Sequence, residues 1–148
     1  MKYLLIVMVI SIFLISTESA AKRRAFFGDV LLTDIEPKSD YLWQRTNKTP
    51  AKYPMEMARA GIAGCAILSF NISDSGATEN VQVIKSVPNK DLGKHSRYMV
   101  KKWRWDATNS DSNPASEKRT LRMDYCIGEE SAEKSLQLCK QQTQLACS

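Results

Sequence analysis

Residues 53–127, which begin YPMEMARAGIAGCAILSFNISDSG and end LRMDYCI, decide the fold of this chain. Pro54 suits the first turn of a helix, because its missing N–H has no helical partner there. Alternating apolar residues follow, as in a half-buried strand, and Asp74-Ser75-Gly76 is a hairpin signal. The pattern predicts the order helix, strand, strand, helix, strand.

The boundaries of these elements follow from residue type. Gly61 ends the first helix, since glycine takes the left-handed conformation at no steric cost. Apolar residues spaced by three and four predict the second helix, and strict alternation predicts the strands. The predicted elements are helices at residues 54–60 and 90–105 and strands at residues 64–72, 80–85 and 120–127.

The last strand separates its side chains by face. One set faces the predicted core: Leu121, Met123, Tyr125 and Ile127. The other set faces away: Thr120, Arg122, Asp124 and Cys126. Apolar patterns favour short extra strands near residues 26–32 and 41–43 and an extra helix at residues 131–145. The predicted class is α+β, a small antiparallel three-stranded sheet with two helices plus these additions.

The start of the chain is typical of a secretory signal. Lys2 precedes an apolar run at residues 4–15, and small residues lead to a cleavage point after Ala21. A retained membrane anchor is the alternative, although a helix of this run spans only about 18–20 Å of a hydrocarbon core of ~30 Å. The predicted parts are a signal peptide at residues 1–21, an extension at 22–52, a core domain at 53–128 and a polar, cysteine-containing tail at 129–148.

The composition limits the chemistry that this protein can perform. His95 is the sole histidine, and no nucleophile can be placed beside it, so we predict no enzyme. No Cys-x-x-Cys occurs, so we expect no metal and no cofactor.

The formal charge of +5 suits either plain solubility or contact with anionic envelope surfaces. We predict no nucleic-acid partner. An even cysteine count in an exported chain predicts disulfides, with Cys65, Cys126, Cys139 and Cys147 as candidates.

The order of elements and the residues at their joints resemble the carboxy-terminal domain of the TonB family. The shared marks are Tyr53-Pro54 at the first helix, Gly61 and Gly64 before the first strand, Gly76 in the hairpin and KWRW at residues 102–105. The resemblance covers about half of the chain. It implies a sheet in which the first and last strands are antiparallel neighbours.

The resemblance also implies a function. Family members couple inner-membrane motor proteins to outer-membrane transporters, and their carboxy-terminal domain grips a short peptide as an added strand near the Tyr-Pro pair. This chain departs from the full transducer because its leader lacks a histidine, it has no Pro-rich arm, and it has four cysteines. These departures weaken energy transduction as the function and leave the fold prediction intact.

The predicted binding site is the edge of the last strand, because an unpaired strand edge can accept a visiting peptide strand. The alternatives are an edge blunted by its charged residues or covered by the tail, and a Tyr53-Pro54 pair that only packs on the sheet and starts a helix. The predicted partner-binding residues are Tyr53, Pro54, Leu121, Arg122, Met123, Asp124 and Tyr125.

If the first and last strands are neighbours, as the resemblance implies, Cys65 and Cys126 lie close enough to bond. That hypothesis leaves Cys139 with Cys147. Eight residues along an intact helix span about 12 Å, which is too far for a disulfide. Either the tail helix ends near Cys139, or the pairing differs, or those thiols are free.

We therefore predict a periplasmic module that recognises a peptide segment of an envelope protein, such as an outer-membrane transporter, by strand addition. One alternative is a short transducer anchored in the inner membrane. Another is a cell-wall protein that contacts peptidoglycan through Lys94, Arg97, Lys101 and Lys102. A homodimer formed by strand exchange is also open.

Overall fold

The structure, a computed structural model, describes residues 27–46, 48–109, 114–128 and 131–148. The predicted signal peptide at residues 1–21 lies outside the described residues. Within the described part of the chain, no helix is long and apolar enough to cross a membrane.

The described residues form six strands and three helices, and alternation and capping explain most of their bounds. Asn89 caps the second helix by accepting from the backbone N–H groups of Asp91 and Leu92. Ser131 caps the third by accepting from the N–H of Lys134. The elements are β1 (Phe27–Asp34), β2 (Trp43–Arg45), α1 (Met55–Arg59), β3 (Gly64–Ile72), β4 (Thr78–Val87), α2 (Lys90–Val100), β5 (Trp105–Ala107), β6 (Glu117–Gly128) and α3 (Ala132–Gln142).

The main sheet has the order β1-β6-β3-β4, and all of its pairs are antiparallel. A two-stranded sheet, β2-β5, lies apart from it. The α+β class is confirmed, as is the antiparallel pairing of the first and last core strands. The prediction that the last strand forms a sheet edge is wrong, because β1 from the N-terminal extension pairs along it from Phe27 opposite Gly128 to Asp34 opposite Leu121.

One face of the sheet holds the main core. Leu68, Phe70 and Met123 are almost completely buried there, with Leu92 and Val100 from α2. The Phe70 ring stacks on the Trp105 ring with centroids 5.7 Å apart. Burying side chains of this size contributes about 1.5–3 kcal/mol each.

The second helix is shorter than predicted. It ends at Val100, and the chain turns back so that Trp105 starts β5 and pairs with Arg45 of β2. The backbone N–H of Trp105 donates to the carbonyl of Gly76 at 3.0 Å. The helical spacing of apolar residues could not predict the pairing of β2 with β5, which joins segments far apart in sequence.

The opposite face of the sheet is covered by α3. Gly128 of β6 lies so close to it that an added Cβ would sit 3.0 Å from the Cα of Ser135. Cys126 of β6 and Cys139 of α3 are both buried where the helix and the sheet meet. Of the residues predicted to face away from the core, Arg122, Asp124 and Cys126 therefore lie against the tail, and Thr120 is half-buried.

The predicted disulfide pairing is wrong. The bonds are Cys65–Cys147 and Cys126–Cys139. The register of β3 against β6 places Asp124, not Cys126, opposite Cys65. Because α3 ends at Gln142, the chain after it can turn back and bring Cys147 to Cys65.

Candidate functional site

The predicted binding region is a surface that already holds an extended segment. We call this the acceptor surface and define it as the β1-facing side of residues 121–128 of β6 together with Tyr53. The strand β1 pairs along it without a register shift over eight residues. The surface can therefore hold an extended peptide by main-chain pairing.

Tyr53 forms one wall of the acceptor surface. A Cβ added to Gly28 of β1 would lie 2.9 Å from Cδ2 of the Tyr53 ring, so ring and strand are in tight contact. The ring meets that of Tyr125 edge to face, with centroids 5.5 Å apart, and the Tyr53 hydroxyl donates to the carbonyl of Ile62. Burial raises the pKa of Tyr53 to about 12.

Pro54 starts the first helix in the way that its ring favours. It is the N-cap residue of α1 in an extended conformation, and its carbonyl accepts from the N–H of Ala58 at 2.9 Å. Pro54 thus sets the chain direction that presents Tyr53 to β1.

The remaining predicted site residues divide between the two faces of β6. Leu121, Met123 and Tyr125 are buried in the main core. Arg122 and Asp124 lie on the α3 face as a two-bond ion pair, each bond 2.8 Å long. The side chains of these five residues thus pack within the domain. At this position β6 therefore offers a partner only its backbone groups.

The Arg122–Asp124 pair fixes the tail to the sheet. Asp124 is fully buried and also accepts from Nε2 of Gln142 at 3.1 Å. Arg122 donates to the carbonyls of Gln142 and Leu145 at 3.0 and 2.6 Å. The sequence analysis placed both residues in the partner-binding set, with a blunted or tail-covered edge as the alternative, whereas in the structure they hold α3 in place.

Tyr125 links the acceptor surface to α2. Its hydroxyl lies 2.7 Å from the hydroxyl of buried Ser96, and Ser96 also donates to the carbonyl of Leu92. Burial raises the pKa of Tyr125 to about 12. A ring nitrogen of His95 lies 3.2 Å from the carbonyl of Lys52, so the sole histidine ties α2 to the segment before Tyr53.

The opposite edge of the sheet is β4. It exposes Ile84 and, to a lesser degree, Val83. Nε of Arg97 donates to the carbonyl of Val81 at 3.0 Å, so one group of this strand already has a partner. Arg97 therefore contacts the sheet through one hydrogen bond, while its side chain is exposed like those of Lys94 and Lys101.

Comparison with known proteins places the core of this chain among TonB sequences. Residues 49–127, just over half of the chain, match the family described as Gram-negative bacterial TonB protein C-terminal. Protein TonB of Xanthomonas campestris pv. campestris, in strains B100 and ATCC 33913, is 30% identical over 81 residues, 55% of this chain and 36% of the relative. The match therefore spans about a third of these relatives' length.

The fold was also compared with solved structures. The solution NMR structure of the Pseudomonas aeruginosa TonB CTD superposes with a TM-score of 0.44 at 24% identity. The superposition covers 61% of this chain and 86% of that chain.

Proposed function

The chain belongs to the TonB C-terminal family, and from this premise we propose that it is a non-catalytic periplasmic binding module. It recognises an extended segment of an envelope protein, of the class of outer-membrane transporters, at the acceptor surface. A partner strand takes the place of β1 against β6. The residues that contribute are Tyr53, Pro54 and the backbone of residues 121–125.

One observation carries this proposal: the acceptor surface is occupied by β1 in continuous antiparallel register. An edge that binds an eight-residue segment from its own chain has the donors, acceptors and side-chain spacing that an incoming strand needs. In β-augmentation the main-chain bonds give affinity and the alternate side-chain contacts give specificity. Val30 and Leu32 of β1 show those contacts, since both pack against the core.

The hold on β1 is weaker than the hold on the core strands. Val30 and Leu32 are only partly buried, whereas β3 and β6 carry the fully buried residues. The residues of β1 include no cysteine, so no disulfide holds this strand in place. A competing strand thus displaces little buried apolar area. The apparent affinity of the partner equals its intrinsic affinity multiplied by the fraction of molecules in which β1 has left β6.

The disulfides support a location in the periplasm. Both bonds need an oxidising compartment, and the bacterial periplasm is one. The four cysteines of the described chain are all paired, which fits an exported domain. Identification of Lys22 as the mature amino terminus would support cleavage of the predicted leader, and an intact leader would favour an anchored form.

The proposal is tested by photo-crosslinking in intact Gram-negative envelopes. A photo-reactive residue at Thr120 reports on the β1 side of β6, where the carbonyl of Thr120 accepts from the N–H of Ile35 at 3.1 Å. The same residue at Ile84 reports on the opposite edge. We expect an envelope protein to crosslink at Thr120 and not at Ile84. Capture at Ile84 alone would show that the partner uses β4.

A further inference from the structure

A second concave site lies away from the acceptor surface. It is a groove of about 680 Å³ between residues 45–46 and 49–52 on one side and the C-terminal half of α2 with residues 102–104 on the other. We call it the basic groove and define it by Arg45, Lys52, Tyr98, Lys102, Trp103 and Arg104. Its volume is within the range of about 300–1,000 Å³ that is usual for ligand sites.

The charge of the basic groove has one sign. Its walls carry four cationic side chains, those of Arg45, Lys52, Lys102 and Arg104, and none of the described residues that line it has a carboxylate. Lys102 and Arg104 are exposed, so they can reach a ligand without rearrangement of the core. Such a site attracts anions and repels cations.

Arg45 gives this charge a fixed and partly desolvated centre. Its guanidinium lies 4.6 Å from the centroid of the Trp103 ring, and Nη2 donates to the carbonyl of Thr49 at 3.1 Å. Its Nη1 is buried and has no hydrogen-bond partner among the described residues. Burial lowers the pKa of Arg45. A partly desolvated cation without a paired anion is less favourable than one in water, and a bound carboxylate would offset that cost.

The floor of the groove is aromatic and rigid. The N–H of Trp103 donates to the carbonyl of Val100 at 3.0 Å, and its own carbonyl accepts from the hydroxyl of Thr78 at 3.0 Å. Its ring meets that of Trp105 edge to face at 6.1 Å. A floor that is fixed before binding lowers the entropy cost of association. The sequence motif KWRW thus presents Trp103, and not buried Trp105, as the stacking face.

We propose that the basic groove binds an acidic peptide segment of a protein partner in which an apolar side chain lies between carboxylates. The apolar side chain contacts Trp103, and the carboxylates pair with Arg45, Lys102 and Arg104. Arginine recognises carboxylates in a planar, two-bond geometry. The groove begins at Lys52, next to Tyr53, so one partner protein can reach both sites.

The test measures binding of a capped peptide, DLELD, to the full chain by calorimetry, with NLQLN as its neutral counterpart. Lys102→Gln with Arg104→Gln removes two groove charges. Lys94→Gln with Lys101→Gln is the matched control, because it removes two exposed charges that do not line the groove, one within α2 and one directly after it. We expect the groove variant to bind DLELD about tenfold more weakly and the control to stay within about twofold of the parent chain.

Any of the following results would overturn the proposal. One is the absence of DLELD binding, and equal binding of NLQLN would have the same meaning. Another is an equal loss in both double variants, which would mean that only net charge matters. A third is full displacement of DLELD by sodium acetate at the same carboxylate concentration, which would make the groove a general anion site. Because Leu32 does not line the groove, Leu32→Ala should leave DLELD binding unchanged, so this proposal and that for the acceptor surface fail separately.

Discussion

Gly28 of β1 lies against the ring of Tyr53, close enough that an added Cβ would be 2.9 Å from the ring carbon Cδ2. This contact joins the N-terminal extension to the residue pair that opens the core domain. It also explains the position of β1, because a side chain at residue 28 would push the strand off the acceptor surface. The glycine is needed here for close approach and not for its backbone angles.

We expect Gly28→Val to loosen β1. Overpacking of a tight contact costs about 1–3 kcal/mol, and the cost should fall on the pairing of β1 with β6. Hydrogen exchange of the β1 amides should become faster, while the amides of β3 keep their protection. Combining Gly28→Val with Tyr53→Ala should recover part of the loss, since the double variant removes the ring that the valine meets. Equal exchange in the parent and the single variant would contradict this account of the contact.

The disulfide connectivity can be checked by mass mapping of a non-reduced digest. The structure predicts peptides that join Cys65 to Cys147 and Cys126 to Cys139. In the chain-entropy account the first bond, which closes the longer loop, stabilises by about 4–5 kcal/mol and the second by about 3 kcal/mol. Replacing each pair with serine should therefore lower the free energy of unfolding more for the first pair. A peptide that joins Cys65 to Cys126 would refute this connectivity.

The buried ion pair between Arg122 and Asp124 should be important for attachment of the tail. Asp124→Asn removes the charge that Arg122 pairs with, and breaking one partner of a buried pair costs about 3–5 kcal/mol. Lys94→Gln serves as the control, because the Lys94–Asp91 pair is mostly exposed and contributes little. Urea unfolding of both variants gives the comparison. A small and equal change in both would mean that α3 is held by the disulfides alone.

Stability should fall at alkaline pH because of two tyrosines. The pKa values of Tyr53 and Tyr125 are both raised to about 12 by burial. The folded state therefore favours the neutral phenols. This contribution is complete below the unfolded pKa of about 10 and is lost as the pH rises from there through 12.

The free energy of unfolding between pH 9 and 12 measures this effect. Tyr53→Phe removes one of the two ionising groups and keeps the ring against Gly28, so the loss with pH should become shallower. A parent chain and a Tyr53→Phe variant with the same pH dependence would show that Tyr53 does not contribute.

The sequence was sufficient for the parts of the fold that depend on local pattern. Alternation gave β3 its observed bounds, Gly64–Ile72, because each residue's face follows from the pleat alone. The start of α2 was likewise predicted, since Asn89 and the residues after it form a local cap. The α+β class followed from the order of helices and strands, and the antiparallel pairing of β3 with β6 came from the resemblance.

The neighbours of β6 could not be predicted in the same way. Alternation assigns side chains to faces and says nothing about which strand lies on either side. The pairing of Asp29 with Cys126 joins residues far apart in sequence, and the extension carried only a weak strand pattern. The predicted disulfide pairing was wrong for a related reason. The observed register of β3 against β6 differs by two residues from the expected one and places Asp124, not Cys126, opposite Cys65.

The basic groove could not be predicted from the sequence. Residues 45–46 and 49–52 have no periodicity that would predict their position beside α2. The sequence analysis grouped Lys101 and Lys102, which directly follow α2, in one basic set, yet Lys102 lines the groove while Lys101 does not. The KWRW sequence at residues 102–105 was the available signal.

The central claim is that the acceptor surface exchanges β1 for another extended segment. The most direct measurement is the fluorescence anisotropy of a labelled peptide, FGDVLLTD, which copies residues 27–34, on addition of the full chain. Leu32→Ala should weaken the hold on β1 by about 1 kcal/mol, since partial burial reduces the ~0.8 kcal/mol per CH₂ of full burial. The apparent affinity for the peptide should then rise about fivefold.

Val81→Ala is the control, because Val81 is buried in β4 and does not pair with β1. The account predicts saturable binding that is tighter for Leu32→Ala and unchanged for Val81→Ala. No binding to the Leu32→Ala variant, or the same affinity in all three chains, would contradict it.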